Sequence, residues 1–326
     1  MPRYAYVNGQ FIPHNQAAVH VEDRGYQFGD GVYEVVTVVR DRLVDFEGHL
    51  DRLNRSLGEL RIDWPVSRNV LEILMRQLLV RNRVSNGIIY IQITRGVAPR
   101  DHKFPTKFTP TSLVMTTRHI VHERSANFRK GVKVITIPDI RWQRCDIKST
   151  SLLPNCLGKQ RAFEAGAYEA WQVGEDGNIT EGTSSNAWIL TPQNELITRA
   201  PTSVILNGVT RGTIIEIAEQ RGITFFERPF SVAEARGASE AFTSSATSFI
   251  TPVIRIDDVD GKIKGPGNPN GFKIIAKGCK GYPCRMPMKF DEGIWKASIP
   301  GWGLIDDNTG KSINPVSLIT EEKIEM

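Results

Sequence analysis

The order of apolar patterns along this chain predicts an α+β fold: a small α/β N-terminal domain, then a larger pseudo-barrel C-terminal one. Three observations predict it. The first third alternates between apolar spacing of period two and a leucine-rich stretch of helical period. Residues 119–130 are polar and patternless, which suits an interdomain linker. Beyond them, short β-branched runs interleave with short helical ones, without the regular strand–helix–strand repeat of a doubly wound sheet.

Tyr4-Ala5-Tyr6-Val7 and Gln10-Phe11-Ile12 flank Asn8-Gly9, a two-residue hairpin signal because both turn positions need positive φ. Residues 32–40 are rich in β-branched residues and, with Leu43-Val44-Asp45-Phe46, predict a second hairpin across Asp41-Arg42. Leu50, Leu53, Leu57 and Leu60 then share one helical face. Pro65 precedes another helix, striped by Val70, Leu71, Leu74, Leu78 and Leu79. Residues 88–94 and 112–117 predict strands. So do 132–137, 169–173 and 187–190, with helices over 154–165 and 211–221. The expected domains are 1–120 and 121–267, followed by an atypical tail over 268–326.

Composition narrows the function classes. With 326 residues and 40% apolar content, the chain is long enough for about two ordinary domains. No run approaches the 18 or so apolar residues of a membrane helix, and the start lacks a signal-peptide layout, so a cytoplasmic protein is expected. The 41 basic and 36 acidic residues leave a spread-out net charge of +5, with no basic run of the kind that tracks nucleic acid. Four cysteines make no disulfide framework, and Cys279-x4-Cys284 lacks the further ligands of a zinc site; all four read as reduced thiols, and no metal is expected.

Three local features exceed what a structural domain requires. Lys148, in Cys145-Asp146-Ile147-Lys148-Ser149-Thr150, is flanked by an apolar residue and two hydroxyls, where a neutral amine could attack a carbonyl; a lone lysine is also an ordinary surface residue. Thr180-Glu181-Gly182-Thr183-Ser184-Ser185-Asn186 reads as a tight turn lining a polar pocket, or equally as a solvated turn. Gly208-Val209-Thr210-Arg211 and Thr243-Ser244-Ser245-Ala246-Thr247 offer amides and hydroxyls to a phosphate monoester, or simply cap helices.

In this order the motifs resemble the class IV (fold-type IV) aminotransferases dependent on pyridoxal 5′-phosphate (PLP). Asp23-Arg24-Gly25-Tyr26-Gln27-Phe28-Gly29-Asp30-Gly31-Val32-Tyr33-Glu34 and His49-Leu50-Asp51-Arg52-Leu53 fit upstream, and Thr247-Ser248-x-Ile250-Thr251-Pro252-Val253 fits downstream. The resemblance runs from about residue 4 to residue 264. It implies that Lys148 binds PLP as a Schiff base and moves the proton. Glu181 is then the carboxylate that keeps the pyridine nitrogen protonated. Arg52, Val209, Thr210, Ser245 and Ala246 are implied for the phosphate, Ala246 through its backbone alone. Leu206 is implied as the apolar residue on the ring face.

Within the family, Arg95-Gly96-Val97-Ala98-Pro99-Arg100-Asp101-His102 resembles the substrate loop of D-amino-acid aminotransferases. The likeness implies that Arg100 and His102, from the partner subunit of a homodimer, trap the substrate α-carboxylate together with Tyr33. It further implies a ping-pong exchange in which D-alanine and 2-oxoglutarate give pyruvate and D-glutamate. The alternatives are a branched-chain L-amino-acid aminotransferase or an aminodeoxychorismate lyase on the same scaffold, or an inactive PLP-binding protein. The family pattern stops near Gly267. Residues 268–326, broken by Pro283, Pro287, Pro300 and Pro315, lack an amphipathic helix and read as a shifted frame or fused extension, poorly packed or disordered.

Overall fold

A computed structural model describes residues 3–120 and 131–257, together with the backbone of short strands between 276 and 313. The expected linker therefore falls almost wholly outside the described residues. So does most of the tail, whose described backbone pairs Ala276–Gly278 with Cys284–Met286, Met288–Asp291 with Ile294–Ala297, and Leu304–Ile305 with Ser312–Ile313.

The N-terminal hairpin forms as expected, from β1 (Tyr4–Val7) and β2 (Gln10–Pro13), with Asn8 at φ 46° and Gly9 at φ 97°. A short helix α1 (Arg24–Phe28), capped by the Asp23 carboxylate on the Gly25 amide, leads into β3 (Gly31–Val39). The next turn sits one residue earlier than expected. Arg40 and Asp41 both take positive φ, and β4 is only Arg42–Leu43, because the mirror-image turn that matches strand twist needs two left-handed positions. Phe46 thus opens α2 (Phe46–Leu60) rather than closing a strand. α3 (Arg68–Asn82), β5 (Gly87–Thr94) and β6 (Ser112–His119) complete an antiparallel sheet in the order β2-β1-β6-β5-β3-β4.

Alternation along β3 decides what this sheet does. Val32, Val36 and Val38 face the helices, packing with Leu50, Leu53 and Leu57 of α2 and with Leu71, Met75 and Leu78 of α3. Glu34, on the same side, meets α2 through His49 and Arg52. Tyr33 and Val35 point the other way, into the cavity described below.

The second part is a curled eight-stranded mixed sheet, β12-β11-β10-β13-β14-β7-β8-β9. Its strands are β7 (Val132–Pro138), β8 (Glu169–Val173), β9 (Ile179–Gly182), β10 (Asn186–Leu190), β11 (Leu196–Thr198), β12 (Phe225–Glu227), β13 (Glu240–Ser245) and β14 (Phe249–Ile256). Helices α4 (Leu153–Glu164), α5 (Val209–Gln220) and α6 (Val232–Gly237) accompany them. Covered on both faces, β9 and β10 are buried at every residue, so neither shows alternation. Trp171 and Ile189 centre one core; Trp188, stacked on Phe242 at 5.4 Å, centres another beneath α5.

The two sheets meet along the segment before α4. Ile147 is buried in the first core, the Tyr33 amide donates to the Lys148 carbonyl at 3.0 Å, and the Thr150 amide donates to Gly31 O at 3.0 Å. No described helix is long and apolar enough to cross a membrane.

Candidate active site

A cavity of about 210 Å³ opens where the two sheets meet. Nine of the expected site residues line it: Tyr33, Arg52, Lys148, Glu181, Leu206, Val209, Thr210, Ser245 and Ala246. Lys148 is its one lysine, held by a backbone paired to β3, with its amide bonded to Ser56 Oγ at 3.2 Å. Its Nζ lies 4.2 Å from the centroid of the Tyr33 ring.

One end of the cavity is acidic. The motif turns as expected, just after the carboxylate: Glu181 itself lies near the end of the buried strand β9, and residues 183–185 bend back into β10. The Gly182 amide donates to Ser185 O at 2.7 Å, and Gly182, Thr183, Ser184 and Ser185 line the cavity. Being on a rigid strand fixes the Glu181 carboxylate. It accepts from Asn186 Nδ2 at 3.0 Å, from the Leu206 amide at 3.1 Å and from the guanidinium of Arg141. Burial pushes the Glu181 carboxyl up, against the opposing charge of Arg141. Arg141 is itself fixed by Asp139, its Nε and Nη2 donating to the two carboxylate oxygens at 2.9 and 2.7 Å.

The other end gathers donors. α5 begins at Val209 with no side chain capping its first amides, so their partial positive charge is turned to the cavity beside the Thr210 and Ser245 hydroxyls. Gly208 admits no side chain, since a Cβ there would lie 2.2 Å from Asn186 Oδ1. The Ala246 carbonyl is turned away, accepting from Thr37 Oγ1 at 2.6 Å. Arg52 lines the same wall and donates to the Asn207 carbonyl at 3.2 Å.

An uncapped helix start with hydroxyls and a guanidinium at one end, a carboxylate at the other and a single amine between them is a donor set for a phosphorylated pyridine aldehyde. No group of acidic, histidine or cysteine side chains among the described residues could hold a metal ion.

Two expected residues do not line this cavity. Arg100 and His102 sit on the exposed loop after β5 and pack against Phe28, 5.1 Å from the guanidinium carbon and 5.7 Å between rings. Three residues that matter were given no role by sequence reasoning. Arg141 lies 40 positions from the carboxylate it holds. Glu34 and His49 form a buried cluster with Arg52. Their places within the early motifs were visible; their pairing was not.

The fold places a cavity with a single lysine amine on its wall where two sheets meet. Residues 31–256 match the family model of class IV amino-transferases. The chain is 39% identical over 262 residues to a D-alanine aminotransferase of Bacillus licheniformis, covering 80% of this chain and 90% of that protein. Over 265 residues it is 41% identical to one of Listeria innocua, with the same coverage. The branched-chain amino acid aminotransferase of Escherichia coli shares the fold at a TM-score of 0.73 and 23% identity, covering 80% of this chain and 88% of that one. The chain belongs to the class IV amino-transferases, the fold-type IV enzymes that depend on PLP.

Proposed function

We propose that this protein is a D-amino-acid aminotransferase, exchanging the amino group of D-alanine with 2-oxoglutarate to give pyruvate and D-glutamate, and that it works as a homodimer. Its likeness to D-alanine aminotransferases supports the reaction. The observation that carries the reading is the Arg100-Asp101-His102 loop, which stands outside its own cavity and is free to serve another copy's.

PLP, when bound, supplies an electron sink for the charge left when the substrate loses its Cα proton. The residues divide the remaining work. Lys148 Nζ tethers the cofactor and holds the Cα proton in transit. Ionised Glu181, kept in place by Arg141 and Asn186, favours a proton on the ring nitrogen. The first amides of α5, the hydroxyls of Thr210 and Ser245, the Ala246 amide and the Arg52 guanidinium hold the phosphate. Leu206 packs on the ring, with its amide donating to Glu181. Tyr33, on the cavity wall, joins Arg100 and His102 of a second copy in binding the α-carboxylate, for which a guanidinium and neutral donors are well suited.

Chiral analysis of the products formed from D-alanine and 2-oxoglutarate tests this. D-glutamate and pyruvate in equal amounts are expected; turnover confined to L-leucine would overturn the proposal.

A further inference from the structure

The loop that carries Arg100 and His102 is fastened by a buried charge bridge. Asp30 accepts from two arginines: Arg24 Nε reaches Oδ2 at 2.8 Å, while Arg95 Nε and Nη2 reach Oδ2 and Oδ1 at 2.7 and 3.0 Å. All three side chains are almost fully buried. Arg95 also donates to the carbonyls of Leu60 and Arg61 at the end of α2, at 2.6 and 2.9 Å, and its guanidinium lies 3.6 Å from the Phe104 ring centroid.

Arg24 has a second grip. Its Nη1 donates to the carbonyl of Asp101 at 2.6 Å, the residue between Arg100 and His102. Phe28, at the end of the same helix, has the Arg24 and Arg100 guanidiniums over its ring at 4.7 and 5.1 Å, with His102 beside it. A planar fork can satisfy a carboxylate and a carbonyl in fixed directions at once, which a point-like ammonium cannot do. A buried ion pair is a poor way to gain stability alone, so its value here lies in geometry.

The bridge also reaches the chain's own site. Asp30 lies between Gly29 and Gly31, whose carbonyls accept from Thr150 Oγ1 at 3.1 and 3.3 Å, two residues past Lys148. Gly29 takes φ +69°, and a Cβ there would meet Ser151 Oγ at 2.7 Å, so the turn is held closely to that segment.

We propose that Arg24 and Asp30 are positioning residues for substrate: they set the pose of Arg100 and His102, and with it the affinity for an α-carboxylate, and Asp30 ties that pose to the Lys148 segment. The inference rests on the reading above that Arg100 and His102 bind this carboxylate. D-alanine and 2-oxoglutarate carry the same group, so both should respond.

The test compares KM and kcat for both substrates in the wild-type holoenzyme and in Arg24→Lys, Phe28→Leu, Arg100→Lys and the Arg24→Lys/Arg100→Lys double variant. Arg24→Lys should raise both KM values about tenfold and change kcat less than about threefold, with the absorbance of bound cofactor retained. Phe28→Leu should move both KM values the same way, and it decides the matter if Arg24→Lys does not fold. In the Arg100→Lys background the effect of Arg24→Lys should shrink well below its wild-type size, because Arg100 is one of the two residues whose pose Arg24 sets. Unchanged KM values in both Arg24→Lys and Phe28→Leu, or additive effects in the double variant, would overturn the inference while Arg100→Lys still raises KM. Unchanged KM in Arg100→Lys would instead overturn the carboxylate reading, and this inference with it.

Discussion

Glu34 holds the Arg52 guanidinium with both carboxylate oxygens, at 2.7 Å to Nε and 2.8 Å to Nη2, and also pairs with His49 Nδ1 at 2.7 Å. An arginine on the cavity wall is thereby fixed from behind, while its Nη1 donates to the Asn207 carbonyl just before α5 at 3.2 Å. Burial alone would raise the Glu34 carboxyl, but the Arg52 charge and hydrogen bonds, with His49, hold it well below the usual carboxylate range.

Glu34→Gln should therefore cost about 3 kcal/mol of stability and weaken cofactor retention, since a buried guanidinium loses its counter-charge. The sign with pH follows from the depressed value. The contribution is present above the unfolded carboxyl's pKa of about 4.3 and is lost as pH falls through the folded one. Denaturant titrations of both proteins should show a constant gap from about pH 5 to 8 that closes in stronger acid. A gap that widens in acid would contradict this.

Arg141 opposes the upward push of burial on Glu181. Arg141→Met should raise the Glu181 carboxyl further, leaving less of the ionised form at neutral pH. The acidic limb of the kcat profile should then move to higher pH by about one unit or more. An unshifted limb would show that Arg141 acts only as packing.

Lys148 is the one lysine on the cavity wall. Borohydride reduction of the wild-type holoenzyme should fix the cofactor to the peptide containing Lys148, and Lys148→Ala should lose this adduct and at least about 10³-fold in rate. An adduct that persists in the variant would place the chemistry on another amine.

Cys145 lies on the cavity wall, its thiol donating to the Trp142 carbonyl at 3.1 Å and pushed up to about 12 by burial against the Arg141 charge. Cys156, on α4, is exposed. With iodoacetamide at pH 8, peptide mapping should find Cys156 modified and Cys145 intact, because only the thiolate reacts. Equal labelling of the two would contradict the burial argument.

The sequence made some of this architecture legible and hid the rest for physical reasons. The alternation in β3 and the leucine spacing of α2 are local, so the small domain could be read from them. The turn at residues 183–185 was legible from its Gly and hydroxyl residues, but β9 before it was not, because it is buried at every residue and carries no alternation. Lys148 and the start of α5 stood out through their neighbours, together with their resemblance to a known family. Arg141 with Glu181, and Arg24 with the Asp101 carbonyl, lie 40 and 77 positions apart. Each pair is brought together only by the tertiary fold of its own part of the chain, Arg24 and Asp101 beside the first sheet and Arg141 and Glu181 beside the second.

The central claim, transfer of the amino group from D-amino acids, is tested most directly by a spectrophotometric half-reaction of the holoenzyme with one amino acid at a time. D-alanine should bleach the band of the lysine-bound cofactor, and pyruvate should restore it, while L-alanine and L-leucine leave it unchanged. Bleaching by L-leucine with none by D-alanine would contradict the account.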